Sequence, residues 1–149
     1  MSRYLPYEEL SRNVIENNYV SISINLSESL LLLEWKRQIT LQERISGFLQ
    51  ALSITHQHQI KYWLISDLNI FFISPEEKNW ILTDWVEVAS KSSILKLAVV
   101  CFENYDMLIN GTDFTSQGQH QYQEKGIIEH HVFLDFTSAR TWLLTKDEN

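Results

Sequence analysis

The stretch VSISINLSESLLLLEW, residues 20–35, decides the fold. From Val20 to Asn25 apolar and polar residues alternate, which is the period of a strand with one buried face. Leu30 to Trp35 begins with four consecutive leucines, which predicts a strand that is buried on both faces. Ser27 and Glu28 form a short turn between the two runs, and so short a connection favours an antiparallel hairpin.

A helix is predicted directly after the hairpin. Thr40 is a good N-cap, and Glu43 three residues later completes a capping box. The apolar residues behind this cap follow helical spacing and are Leu41, Ile45, Phe48, Leu49 and Leu52. The apolar stripe ends near Thr55, and Ile60 to Leu68 then reads as a strand.

The clearest local signal of the chain is Ser74-Pro75-Glu76-Glu77. It places an N-cap Ser, a Pro at the first helical position, acidic residues in the first turn and Glu77 at the N3 position of a capping box, so it predicts a second helix. That helix is expected to bury a stripe made of Ile81, Trp85 and Val88, widened by Trp80, Leu82 and Ala89. Leu95 to Phe102 follows as a nearly all-apolar core strand.

The two ends of the chain and its last third are less regular. Residues 1–17 are polar and irregular, which predicts an arm that either pairs late or stays mobile. Residues 103–110 have a short helical pattern, and residues 111–126 are a polar excursion rich in Gln. Ile127 to Leu134 reads as a last strand. A terminal helix follows it, capped by Asp135 or Thr137 and carrying Ala139, Trp142 and Leu143.

Strands that alternate with helices join by right-handed crossovers into a mostly parallel sheet. The sequence therefore predicts an α/β fold with one sheet of about five strands, an antiparallel N-terminal edge strand and about four helices. At 149 residues the chain is expected to be one domain, 1–149, with an ordered core over residues 18–145.

Composition excludes several classes of function. Twelve basic against nineteen acidic residues give a net charge of −7, which repels nucleic acid and anionic lipid. The run Leu30 to Leu33 is too short for a membrane span, and residues 1–6 lack the apolar run of a secretory leader. The lone Cys101 cannot form an internal disulfide, so we expect a protein of the reducing cytoplasm.

The element order and the patterns inside it resemble the STAS superfamily, most closely its SpoIIAA-like branch, which is also labelled STAS/SEC14. The resemblance covers roughly residues 18–145. Its pieces are Leu33-Glu34-Trp35 before the first helix, Tyr62 to Asp67 at a strand end, Leu97 to Val100 in the next core strand, and Val132 to Asp135 continuing through Ala139 to Trp142-Leu143.

This resemblance implies a regulatory role. In the better-known branch, cytoplasmic antagonists of anti-sigma factors are switched when a kinase phosphorylates a Ser or Thr in the loop between the third strand and the second helix. That loop corresponds here to residues 67–74, which makes Ser74 the phosphorylation candidate. The family has an acid before this hydroxyl residue and a Gly after it, whereas this chain has Ile73 before Ser74 and Pro75 and Glu76 after it.

The same loop supplies the candidate binding residues. Asp67 lies at the carboxyl end of a strand, where ligands of open α/β sheets usually bind. Exposed aromatic side chains here would form an apolar patch suited to a partner or to a lipid-like ligand. The partner or ligand candidates are Asp67, Asn69, Phe71, Phe72, Glu77 and Trp80. Ser74 itself has a second interpretation, as the N-cap of the helix alone.

No catalytic or metal site is predicted. The chain has no nucleophile motif and no phosphate-binding loop, and Cys101 at the end of an apolar strand favours inert burial. Neighbouring His130 and His131 on a strand point to opposite faces, and neither they nor His56, His58 and His120 show a zinc-site spacing. We therefore expect no cofactor and no metal.

Two functions remain. The leading hypothesis is a non-enzymatic, STAS-like regulatory domain that binds a protein partner, such as a regulator or kinase, through the Asn69–Glu77 loop and the helix after it. The alternative is a carrier of a small apolar molecule, held between the sheet and the helix around residues 103–115. A homodimer is compatible with either, and nucleic acid is not an expected partner.

Overall fold

The hairpin predicted from residues 20–35 forms the second and third strands of a six-stranded sheet. A computed structural model of the chain describes residues 11–102 and 128–145. The strands lie side by side in sequence order: β1 Arg12–Glu16, β2 Val20–Asn25, β3 Leu30–Trp35, β4 Tyr62–Ser66, β5 Lys96–Val100 and β6 Glu129–Phe133. The first three strands pair antiparallel, and β3 to β6 pair parallel. This confirms the predicted α/β class with a mixed sheet.

The additional strand, β1, lies inside the predicted N-terminal arm. Its residues pair antiparallel with β2, with Arg12 opposite Ile24 and Glu16 opposite Ser21. Only Ile15 within it is partly buried, so β1 shows none of the apolar alternation that identifies a strand in sequence. Residues 12–16 of the predicted arm therefore pair with the sheet, which has six strands instead of about five.

Three helical segments pack on this sheet within the described residues. They are α1 Leu41–His58, a second segment that joins α2 Pro75–Trp80 to α3 Val86–Ser90 through a π turn at Ile81–Trp85, and α4 Phe136–Leu144. Both predicted capping boxes form, at Thr40 with Glu43 and at Ser74 with Glu77. The predicted helix at 103–110 and the excursion at 111–126 lie outside the described residues. No helix in the described ranges is long and apolar enough to cross a membrane.

The two faces of the sheet bury separate apolar clusters. On one face α1 and the second helical segment cover side chains such as Leu31, Leu33 and Ile65. On the other face α4 covers Leu30, Leu64 and Ala98. Successive strand residues alternate between the faces, which explains why the leucine run is buried on both sides.

An aromatic cluster fills the first face. The ring of Phe48 lies within 4.6–6.1 Å, centroid to centroid, of the rings of Trp35, Trp63, Trp80 and Trp85. The π turn adds a residue to one helical turn, so that Trp80 and Trp85 stack although they are five positions apart. Trp35 is buried and Trp80 partly buried, so most of the Trp content of the chain builds its core.

The buried stripe of α1 differs from the predicted one. Leu49 is 45% exposed, whereas Arg44 and Thr55 are buried. Arg44 faces inward because it pairs with Glu77, and Thr55 because its hydroxyl accepts a hydrogen bond of 2.8 Å from the indole N–H of Trp63. Val88 is likewise exposed, since the π turn shifts the phase of the second segment relative to a regular helix.

Candidate functional site

The loop between β4 and α2 lies at the carboxyl edge of the sheet and is hydrogen-bonded to the segment around the end of β3. Gln38 donates from Nε2 to the carbonyl of Phe72 at 2.7 Å and accepts the backbone N–H of Phe71 at 2.8 Å. Asn69 donates from Nδ2 to the carbonyl of Trp35 at 3.1 Å. These bonds attach the loop to the residues that end and follow β3.

The loop alternates buried anchors with exposed rings. Ile70 and Ile73 are buried in the core of the first face. Phe71 and Phe72 between them are 55% and 57% exposed, and the ring centroid of Phe71 lies 5.3 Å from that of Phe102. Two adjacent phenylalanines therefore form an exposed apolar patch on a fixed loop, which we call the Phe71–Phe72 patch.

Ser74 has a structural role as the N-cap of α2. Its hydroxyl accepts the backbone N–H of Glu77 at 3.1 Å, and a carboxylate oxygen of Glu77 accepts the N–H of Ser74 at 2.9 Å. A phosphate on Ser74 would displace this cap and stand beside Glu76 and Glu77. Phosphorylation of Ser74 stays a prediction.

Replacing Ser74 by Ala is expected to lower the free energy of unfolding by about 1 kcal/mol, because the N–H of Glu77 loses its acceptor at a helix start. Urea unfolding followed by tryptophan fluorescence measures the change. Ser74→Thr is the matched control, since Thr retains the hydroxyl and should stay close to the parent protein. Equal stability of Ser74→Ala and Ser74→Thr would contradict the capping role.

Glu77 also forms an ion pair below the surface, which sequence reasoning missed. Its second carboxylate oxygen accepts Nε of Arg44 at 2.8 Å, and the two side chains are only 4% and 2% exposed. The guanidinium of Arg44 lies 5.6 Å from the ring centroid of Trp35 and 5.9 Å from that of Phe48. The pair joins α1 to the start of α2 and so secures the end of the loop.

The structure separates the six sequence-predicted binding residues into two groups. Asn69, Phe71 and Phe72 are exposed at the loop. Asp67 and Glu77 are buried, and Trp80 is partly buried against Phe48. These three side chains therefore belong to the packing under the loop and not to its exposed surface. The carrier site expected around residues 103–115 lies outside the described residues.

A second feature next to the loop is an open cleft of about 460 Å³. Residues opposite each other in neighbouring strands form a polar row across its floor, Glu16 with Ser21, Ser21 with Glu34, and Glu34 with Ser66. The cleft is lined by this row together with Trp35, Lys36, Leu68, Asn69 and Phe136. Sequence reasoning missed the row because its members come from four strands.

Charges interact at one end of this cleft. The ammonium of Lys36 pairs with the carboxylate of Glu16 and donates to the carbonyl of Asn17 at 2.8 Å. The hydrogen bond from Lys36 lowers the pKa of Glu16, so this carboxylate is ionised at neutral pH. The cleft thus combines fixed charges of both signs with hydroxyl groups.

The histidines of β6 lie on opposite faces of the sheet. Desolvation lowers the pKa of His130 to about 4 and keeps its imidazole neutral at pH 7. The ring of His131 instead packs on Trp142 of α4, with centroids 4.7 Å apart. Across residues 11–102 and 128–145 no three His, Cys, Asp or Glu side chains form a group that could hold a metal ion, and His120 lies outside these ranges.

Comparison of the chain with protein-family models, with curated proteins and with solved structures found no match in any of the three. The likeness to the STAS superfamily therefore depends on the quoted sequence patterns and the element order.

Proposed function

We propose that this chain is a non-enzymatic, STAS-like regulatory domain that binds a protein partner through the Phe71–Phe72 patch. The observation that carries the proposal is the exposure of two adjacent phenylalanines on a loop that side-chain hydrogen bonds hold in place. Contiguous exposed apolar groups of this kind mark interaction sites on soluble domains. The order of strands and helices supports the STAS-like assignment.

The energetics of the patch suit a binding anchor. Fully burying a Phe side chain contributes roughly 1.5–3 kcal/mol, and aromatic side chains near the centre of an interface often dominate its affinity. The hydrogen bonds from Gln38 and Asn69 order the loop in advance, which reduces the entropy lost on association. The net charge of −7 favours a partner with basic residues around its pocket.

The partner is identified by crosslinking from the patch itself. A photoreactive phenylalanine analogue is placed at position 72 in the native host, and the crosslinked protein is named by mass spectrometry. The same analogue at Leu49, an exposed apolar position on α1, is the matched control. A protein crosslinked from position 72 and not from position 49 supports the proposal, whereas identical products from both positions contradict it.

The double substitution Phe71→Ser with Phe72→Ser is expected to weaken binding of that partner at least about tenfold, because two anchor side chains are lost. Stability should change by less than about 0.5 kcal/mol, since both rings are exposed in the free protein. Calorimetric titration with the purified partner measures the affinity. Leu49→Ser is the control and should bind normally. Unchanged affinity of the double variant would refute the patch as the binding surface.

A further inference from the structure

We infer that α4 is a detachable strap, a terminal helix that unfolds from the sheet while the rest of the fold stays intact. This conformational device lies on the sheet face opposite α1. It is separate from the Phe71–Phe72 patch and goes beyond the proposed partner binding.

α4 packs on the sheet through few side chains. Only Phe136, Ala139 and Leu143 of its nine residues are buried. Among the described residues the apolar cluster under α4 has seven buried members, whereas the cluster on the other face has twenty-three. Local opening requires less free energy where fewer apolar side chains become exposed to water. The contact of α4 with the sheet is therefore the weaker of the two helix layers.

A buried ammonium under α4 has no carboxylate partner. Lys96 of β5 is 8% exposed, and its Nζ donates to the main-chain carbonyls of Trp142 and Thr145 at 3.0 Å each. Glu129 lies opposite on β6 but is exposed, and no carboxylate of the described ranges forms an ion pair with Lys96. A buried charge without a counter-ion retains much of its desolvation penalty. Detachment of α4 breaks both hydrogen bonds but returns the ammonium to water, which offsets part of the cost of opening.

A second polar group under α4 is incompletely hydrogen-bonded. One carboxylate oxygen of Glu28, in the turn between β2 and β3, pairs with Arg140 of α4. The other oxygen is buried and accepts no hydrogen bond. An unpaired buried acceptor carries the desolvation penalty of the group. Glu28 therefore also gains hydration when α4 leaves the sheet.

The rest of the fold does not depend on α4. β5 and β6 pair through their own ladder, and the cluster on the first face contains no residue of α4. An isolated helix of this length is marginal in water, so α4 should unfold as it detaches. The opened state is then the six-stranded sheet, still covered on its first face by α1 and the second helical segment.

The test is native-state hydrogen exchange of the full chain, followed by NMR. We expect the backbone amides of Thr141 to Leu144 to be at least about tenfold less protected than those of Leu33 and Leu64 in the sheet. Protection of the α4 amides should change little with urea below the unfolding transition, because detachment exposes little surface. Protection of Leu33 and Leu64 should fall steeply over the same range. Equal protection and equal urea dependence of the two sets would overturn the inference.

A substitution on the other face distinguishes detachment from global unfolding. Leu52→Ala removes a buried side chain of the first cluster, so it destabilises the native and the opened state equally. Protection of Leu33 and Leu64 should fall about thirtyfold or more, whereas protection of α4 should stay unchanged. Ile22→Val is a milder change in the same cluster and should show the same contrast with a loss of about threefold. Leu143→Ala is the matched control, since it weakens the contact of α4 itself and should lower the protection of both sets. A parallel loss of protection at α4 in Leu52→Ala and Ile22→Val would refute separate detachment.

Discussion

Replacing Arg44 by Met is expected to destabilise the protein by about 3–5 kcal/mol, because it leaves the carboxylate of Glu77 buried without its cation. The Nε of Arg44 lies 2.8 Å from Glu77 Oε2, and both side chains are almost completely buried. The opposite carboxylate oxygen of Glu77 still accepts the N–H of Ser74, so the charge cannot turn toward solvent without breaking the capping box. Urea unfolding followed by circular dichroism measures the loss.

The matched control is Arg37→Met, which breaks the pair of Arg37 with Glu43. That pair has the same distance of 2.8 Å, but its side chains are 44% and 23% exposed. Solvent screens exposed pairs, so this variant should lose far less stability than Arg44→Met. The double variant Arg44→Met with Glu77→Met should regain most of the loss, because no uncompensated charge remains. Similar losses of stability for Arg37→Met and Arg44→Met would show that burial does not determine how much an ion pair stabilises this protein.

The buried pair also connects stability to the proposed function. It fixes the start of α2 against α1, and the Phe71–Phe72 patch lies in the loop that ends at this point. Hydrogen bonds from Gln38 and Asn69 fix the other side of that loop. The patch is therefore presented by contacts to two different elements, which limits its motion before a partner arrives.

Local rules were enough to predict much of this architecture. The capping boxes at Thr40 and Ser74 depend on residues three positions apart, and the hairpin depends on one alternating and one leucine-rich run. The exposure of Phe71 and Phe72 was left open by the sequence, because a short apolar loop can face the core or solvent. In the structure Ile70 and Ile73 are buried and anchor the loop, and Phe71 and Phe72 between them face solvent.

Features that depend on distant pairing were not predictable. Arg44 is a charged residue of a kind that usually faces solvent on a helix. Only its pairing with Glu77, 33 residues away in the sequence, explains its burial. The polar row likewise requires the register of β1 to β4, since Ser21 faces Glu34 and Glu34 faces Ser66 only once the strands align. β1 was missed because an exposed edge strand needs no apolar alternation.

Replacing Gly47 by Ala is expected to lower the free energy of unfolding by about 2 kcal/mol, within the usual cost of overpacking a core. Helix propensity alone predicts the opposite, since Ala exceeds Gly by about 1 kcal/mol inside a helix. Steric packing decides whether the substitution raises or lowers the free energy of unfolding. A Cβ at position 47 would lie 2.6 Å from Cη2 and 2.8 Å from Cζ3 of Trp35. The indole cannot retreat, because Phe48 and Arg44 pack on it and it is almost completely buried.

A double-mutant cycle separates the steric effect from the propensity effect. Trp35→Phe removes the outer ring atoms that the new methyl group would meet. In that background Gly47→Ala should be neutral or stabilise by up to about 1 kcal/mol, as helix propensity alone predicts. Ser53→Ala, at an exposed position of the same helix, is the control for propensity without packing. Each free energy comes from urea unfolding, and an equal cost of Gly47→Ala in both backgrounds would show that Trp35 is not the group that excludes a side chain at position 47.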